Sequence, residues 1–567
     1  MITETIKKSI QQALTAEGVG GGEIVLEHPE DPKNGDYSSN VALRYAKELK
    51  MNPKVLAEKI TAKINQSKPD EVIKVEVAGP GFINFYLSAD YFAKEIFAIA
   101  KNGEDFGKTE TLKGKKVVIE YTDPNPFKQF HIGHLMSNTI GEALSRIIEV
   151  SGAEVKRACY QGDVGRHVAL TMYGIRLMDK AFPEDSASLD EKVAYLGRAY
   201  ALGATAVKDN AELEKNIQVI NKKIYDKSDG EVNDFYNKGR EWSLEHFEEL
   251  YAKLGTHFDQ YFFESATAPV GMEIVKENLK KGVFEESEGA VIFSGEKHDL
   301  HTRVFITREG LPTYEAKELG LAKLKYDVFP FDTSIVITAS EQSGYFNVLM
   351  KVIELVFPKI GATMRHVSHG MLRLPSGKMS SRTGDVITGE SLIAEAEKRV
   401  EEKVKDRDYS DELKKEVVEK VAIGALKYSI LKQSPGKDII FDFDSALSFE
   451  GDSGPYLQYA YVRARSVLEK AGVQDEKGKR GDGEVTLLEQ LLPRLPEVTE
   501  LALKEMAPQY ITTYLIQLAA AFNHFYATNK IIDAGEDTDY RLALTWAFAT
   551  VMKNGLTTLG LPVVEKM

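Results

Sequence analysis

With 567 residues, 43% of them hydrophobic, the chain has apolar material for about three or four domains with their own cores. No apolar run approaches the roughly 20 residues of a membrane helix. The opening Met-Ile-Thr-Glu-Thr-Ile-Lys-Lys reads as an amphipathic helix and not a secretion signal, so the cytoplasm is expected. The single Cys159 excludes an internal disulfide and any cysteine-built zinc site, and no metal site is expected. The net charge of −14 argues weakly against a nucleic-acid partner, although such binding depends on local basic faces more than on the sum.

Residues 1–110 read as a helix, a Gly-rich turn, two strands and further helix, a compact α+β module. The next stretch, 116–122, is a short run rich in β-branched residues and predicts a buried strand. Asp123-Pro124-Asn125-Pro126 breaks it, because proline cannot donate to a ladder. From His131 the pattern turns helical, with Leu135, Ile140, Leu144, Ile147 and Ile148 on one face. Gly152 ends the helix, and 154–160 predicts the next strand. This is a βαβ unit with its turn at the carboxyl end of the first strand, where open α/β sheets bind nucleotides. His131 and His134 share one face of the first helical turn and can donate to the same phosphate. Gly133 would let a ligand approach the helix start, where free N–H groups and the dipole favour anions. Taken alone, His131-Ile-Gly-His134 also suits capping or surface histidines, and other nucleotidyltransferases carry similar motifs.

A highly charged helical insertion is expected over 180–300, with part of 209–254 packed loosely. Residues 334–340 restore a sheet strand, with Glu341 and Gln342 at its carboxyl end. His369-Gly370-Met371 reads as a strand edge and leads into Lys378-Met379-Ser380-Ser381-Arg382. A glycine-punctuated loop with a lysine beside small hydroxyls suits a phosphate clamp. A cation about 4 Å from a phosphate charge gains roughly 4 kcal/mol at an effective dielectric near 20. From 386 onward the pattern is helical almost throughout, with a charged loop over 473–483.

The two motifs, in this order, resemble the ATP-handling signatures of class I aminoacyl-tRNA synthetases. Further blocks narrow the resemblance to the arginyl-tRNA synthetase family, and they run almost end to end. They are Gly35-Asp-Tyr-Ser-Ser-Asn40, Gly79-Pro-Gly-Phe-Ile-Asn-Phe85, Gln161-Gly-Asp-Val-Gly165, Gly454-Pro-Tyr-Leu-Gln-Tyr459 and the ending Val564-Glu-Lys-Met567.

The resemblance implies an α/β fold in three parts: an N-terminal α+β tRNA-binding domain (1–110), a Rossmann-like catalytic domain (113–385) and an all-helical anticodon-binding domain (386–567). It implies that arginine and Mg²⁺-bound ATP give arginyl-adenylate, from which a terminal ribose hydroxyl of the tRNA takes the arginyl group. Activation is expected to require bound tRNA. ATP would meet His131, Gly133, His134, His369, Gly370, Met371, Lys378, Met379 and Ser380, with His131, His134, Lys378 and Lys128 assisting the chemistry.

A guanidinium is always charged and presents a planar fork of donors, so its pocket needs carboxylates. The matching positions are Glu120, Asp123, Asn125, Glu264, Tyr314, Glu318 and Gln342. Glu318 stands where the family usually has Asp, and Asp123 where it often has a small hydroxyl or amide residue. The tRNA positions are Phe82, Asn84, Tyr456, Tyr459, Phe522 and Met567. The family loop is K-M-S-K-S, and Ser381 replaces its second lysine; Lys128 is the favoured substitute and Arg382 another. The alternatives are a class I synthetase of another specificity or a catalytically inactive tRNA-binding relative, and a monomer is expected.

Overall fold

The computed structural model describes residues 2–375, 388–472, 480–481 and 483–567. Lys378, Met379 and Ser380, with Ser381 and Arg382, lie outside the described residues, as does most of the loop expected over 473–483. The chain folds as two compact units, one of residues 1–106, 460–496 and 517–554, the other of 107–459, 497–516 and 555–567.

The first unit holds a three-stranded antiparallel sheet of β1 (Tyr37–Ser39), β2 (Val72–Ala78) and β3 (Phe82–Leu87), with β3 in the middle. Gly81 at φ +138° makes the turn from β2 into β3, a conformation only glycine adopts without strain. Helices Ile2–Ala16 and Pro53–Gln66 bury Ile6, Ile10, Leu56 and Ile60 in the core that this sheet shares. Asn52 caps the second of them by accepting the Lys54 N–H at 2.9 Å, and Pro53 occupies the first helical position, where its missing N–H costs nothing.

The second unit is built on β4 (Lys116–Glu120), β5 (Glu154–Gln161) and β6 (Gln260–Phe263), then β7 (Glu285–Ser287), β8 (Ala290–Phe293) and β9 (Arg303–Ile306). β10 (Thr333–Ala339), β11 (Met364–His369), β12 (Leu372–Arg373) and β13 (Ile439–Ile440) follow. Five of these form a parallel sheet in the order β11-β10-β4-β5-β6. β4 feeds β5 on one side while β10 pairs with it on the other, so the strand order reverses between β10 and β4. The carboxyl ends splay there, which opens a crevice above Glu120 and Ala339. Both strands are buried on both faces, which is why 117–119 and 335–337 read as unbroken apolar runs.

The structure redraws the insertion. Its helices run from Leu189 to Lys253, and residues 260–263 return to the sheet as edge strand β6. A four-residue strand between two helices carries too little pattern to be read from sequence. Within the span expected to be helical, residues 285–287 and 290–293 form β7 and β8, which join β9 in an antiparallel trio. Helix Gly230–Lys253 does not pack loosely: Trp242, Phe247 and Tyr251 are buried, and most of its charges occupy the outer face, Arg240 apart. Residues 388–459 belong to the unit that holds the parallel sheet, although their periodicity places them with the helical tail. Among the described residues no helix is long and apolar enough to cross a membrane.

Candidate active site

Beyond β4 the backbone turns sharply. Thr122 (φ 77°), Asp123 (φ 48°) and Phe127 (φ 68°) adopt left-handed conformations that cost non-glycine residues about 1–3 kcal/mol each. Hydrogen bonds hold the strain in place. Thr122 N–H donates to Ser137 Oγ (3.0 Å), Asn138 Nδ2 to Thr122 Oγ1 (3.1 Å) and Phe127 N–H to Ser243 Oγ (3.0 Å). Asp123 Oδ1 accepts the Tyr160 N–H of β5 at 2.7 Å. The turn thus delivers Asp123 and Asn125 to the crevice between strands.

Helix Ile132–Val150 starts at His131 in a reciprocal cap. His131 Nδ1 accepts the His134 N–H (3.3 Å) and His134 Nδ1 accepts the His131 N–H (3.2 Å). The rings stack 3.4 Å apart at 19°. With both Nδ1 atoms accepting, the network assigns the proton of each neutral ring to Nε2. The turn therefore presents two parallel donors beside the helix N-terminus. Burial pushes both imidazoles below the usual histidine range, and the Lys128 ammonium pushes the same way. A Cβ on Gly133 would stand 2.9 Å from His131 Cε1, so this glycine makes room for the histidine ring as well as for any ligand.

A cavity of about 470 Å³ fills the crevice. All seven residues expected at the arginine site line it: Glu120, Asp123, Asn125, Glu264, Tyr314, Glu318 and Gln342. So do His131, Gly133, His134 and His369. Gly370 instead borders a small neighbouring cavity that His369 also reaches; Met371 lines neither, and its N–H donates to Asp438 Oδ1 (2.9 Å). Lys128 is half-buried; burial lowers its pKa and the Glu264 charge opposes that shift. Thr388, just past the second signature, pairs with His131, and Gly389 N–H donates to Phe130 O (2.8 Å). Of the residues flanking the second signature, Thr388 thus pairs with the first, and His369 lines the same cavity as the first.

The charges in the cavity are unevenly matched. Lys325 Nζ pairs with Glu120 Oε2 at 2.5 Å and Lys317 Nζ with Glu264 Oε2 at 2.6 Å, all four side chains being buried. Asp123 and Glu318 have no ion-pair partner among the described residues. Burial raises both carboxyls well above the usual range, and the Glu120 charge beside them adds to it. Gly162 lies where three segments meet: a Cβ there would stand 2.2 Å from Asn125 Oδ1 and 3.3 Å from Glu264 Oε1.

Sequence reasoning missed Ser137, Tyr160, Thr338, Tyr345 and Phe346 on the cavity wall, and the two lysines behind it. Thr338 and Tyr345 flank Gln342, so the strand end at 339 was the available signal. Lys317 and Lys325 carried none, because a lysine on a helix is usually a solvated charge.

The tRNA positions fare unequally within their own units. Phe82, Tyr456, Tyr459 and Met567 are half-buried. Asn84 is buried, and its Oδ1 accepts a bond from Ser38 Oγ (2.7 Å). Phe522 is a correction: it is fully buried and stacked on Phe548 at 3.9 Å, so it offers no face to a base.

A strand-order reversal with a histidine turn at the helix start is the architecture of a class I synthetase, and comparison with known sequences agrees. The profile described as tRNA synthetases class I (R), catalytic domain, matches residues 95–443. That described as the arginyl tRNA synthetase N terminal domain matches 2–87, and the DALR anticodon binding domain matches 457–567. The catalytic match thus runs well past the boundary expected near 386. The arginine–tRNA ligase of Clostridium acetobutylicum is 32% identical over 96% of each chain, and that of Halothermothrix orenii 31% identical over 100% of this chain and 99% of its own. The chain belongs to the arginyl-tRNA synthetase family. The Thermus thermophilus arginyl-tRNA synthetase has the same fold, with a TM-score of 0.81 at 24% identity over the whole of both chains. The Plasmodium falciparum enzyme gives 0.78 at 22% identity, over 100% of this chain and 99% of its own.

Proposed function

We propose that the chain attaches L-arginine to its tRNA at the expense of ATP, through an arginyl-adenylate. One observation carries the assignment of the pocket. Four carboxylates line the cavity and two are neutralised by buried lysines, which leaves Asp123 and Glu318. Arginine brings two cations, a guanidinium and an α-ammonium. Glu318 takes the guanidinium and Asp123 the α-ammonium, with Asn125, Gln342, Tyr314 and the Oε1 of Glu264, whose Oε2 meets Lys317, completing the hydrogen bonds. A neutral or singly charged amino acid leaves a buried carboxylate unpaired, so the pocket selects strongly without an editing domain.

In the first step an oxygen of the arginine carboxylate attacks the α-phosphorus of ATP. The bond to the pyrophosphate oxygen breaks as the new one forms. The Nε2–H groups of His131 and His134 meet the charge that develops on the phosphate oxygens, and Lys128 supplies the cation that Ser381 cannot. Positioned donors of this kind contribute about 10²–10³-fold each. Magnesium arrives with ATP as its counter-ion. In the second step a terminal ribose hydroxyl of the tRNA attacks the arginyl carbonyl and AMP leaves. Activation waits for bound tRNA, for which Phe82, Tyr456, Tyr459 and Met567 are the contacts we retain. Intact His131 and His134 weigh against an inactive relative.

Charging of tRNA with labelled arginine tests the assignment. Glu318→Gln is expected to raise the KM for arginine about 10–100-fold, the worth of one hydrogen bond to a charged group. A wild-type protein that charges no tRNA with arginine would sink it.

A further inference from the structure

Asp163 lines no part of the cavity, yet its carboxylate is the most heavily bonded acid near it. It is fully buried. Its Oδ1 accepts the Ser265 N–H (2.9 Å), and its Oδ2 accepts Ser265 Oγ (2.7 Å), Arg240 Nε (3.0 Å) and Tyr236 Oη (3.2 Å). Ser265 is the second residue of helix Glu264–Lys280, and the N-cap residue of that helix, Phe263, has no side-chain acceptor. Asp163 therefore caps the helix from another segment and places its negative charge at the positive end of the dipole.

The first residue of the capped helix is Glu264, whose Oε2 meets Lys317 and whose Oε1 faces Asn125 across Gly162. Helix Gly230–Lys253 secures the arrangement from behind. Tyr236 and Arg240 lie one turn apart on it, both reach Asp163, and the Arg240 guanidinium also sits 4.1 Å from the Phe263 ring centroid. One planar cation thus holds both the acid that caps the helix and the residue that precedes it.

We propose that Asp163 and Arg240 are a positioning pair that fixes the Glu264 carboxylate for the amino acid, so that the insertion helix sets amino-acid affinity without touching substrate. The proposal rests on the reading of the cavity as the arginine site. Asn at 163 keeps the shape, but it loses the charge at the helix end and turns an amide toward the donors of Ser265 or Arg240. Lys at 240 keeps the charge and loses the fork that spans Asp163 and Phe263.

The test is a double-mutant cycle on tRNA charging, with wild type, Asp163→Asn, Glu264→Gln and the pair. Asp163→Asn is expected to raise the KM for arginine about tenfold or more, with the KM for ATP within about twofold of wild type. In the Glu264→Gln background the same change should add little, because its effect runs through a carboxylate already removed. Arg240→Lys and Tyr236→Phe, milder changes, should shift the arginine KM in the same direction and keep the question open to test if Asp163→Asn does not fold. Independent, multiplicative effects of Asp163→Asn and Glu264→Gln would overturn the proposal, as would parallel losses for arginine and ATP. A wild-type protein that does not charge with arginine defeats the functional reading itself, whereas normal charging with an additive cycle defeats this inference alone.

Discussion

His131 and His134 cap each other: each Nδ1 accepts the other's backbone N–H, and the stacked rings are 3.4 Å apart. The cap and the phosphate donors are therefore the same side chains. His134→Ala removes one acceptor from the helix start and one Nε2–H from the site. The expected outcome is a stability loss of about 1 kcal/mol in urea denaturation, with adenylation slowed about 10²–10³-fold. A variant that loses stability but keeps its rate would assign these rings to capping alone.

Burial is the main cause that lowers both imidazoles, and the Lys128 charge adds to it, which places that charge in their field. If it supplies the cation missing at Ser381, Lys128→Ala should lower the adenylation rate at least 10²-fold, with arginine binding changed much less. Adenylation near the wild-type rate would remove Lys128 from the mechanism.

The unpaired acids predict a pH dependence with a definite sign. Burial and the Glu120 charge raise the Asp123 and Glu318 carboxyls in the empty protein, so the folded chain holds protons that the unfolded chain has released. Without arginine, this makes stability fall as pH rises from the ordinary carboxylate value through the raised ones. Arginine favours the ionised forms, so its binding should release protons and tighten as pH rises through the same window. Calorimetric titrations in buffers of different ionisation heat measure the release directly. Binding heats identical across buffers, with pH-independent affinity, would contradict the charge assignment.

Phe522 offers a check on the helical tail. Its ring is sealed against Phe548, so Phe522→Ala should cost about 3–5 kcal/mol of stability through the cavity it leaves. The variant that remains folded should bind tRNA as wild type does. A loss of tRNA affinity without a loss of stability would restore Phe522 to the interface.

The parts of the fold that the sequence revealed are those with local pattern. Strands β4 and β10 are buried runs of β-branched residues, and His131 marks the helix start by a change of period. The pocket acids were legible only through family blocks, since no local feature separates Glu264 or Glu318 from a surface charge. Their counter-ions were hidden for a different reason. Lys317 and Lys325 meet Glu264 and Glu120 across the fold from a helix that also carries the solvated Lys323, and no spacing rule links such positions. The insertion was misjudged because β6 is four residues long and gains its stability from the neighbouring strand, not from its own composition. Phe522 was misjudged because an aromatic at helical spacing looks the same whether it faces a helix or a base.

The most direct test is amino-acid-dependent ATP–pyrophosphate exchange, run with and without tRNA against arginine, citrulline, lysine and the remaining common amino acids. The account predicts exchange with arginine alone, appearing when tRNA is added, and none with citrulline, which fills the same space without the guanidinium charge. Comparable exchange with citrulline or any other amino acid, or none with arginine in the presence of tRNA, would contradict it.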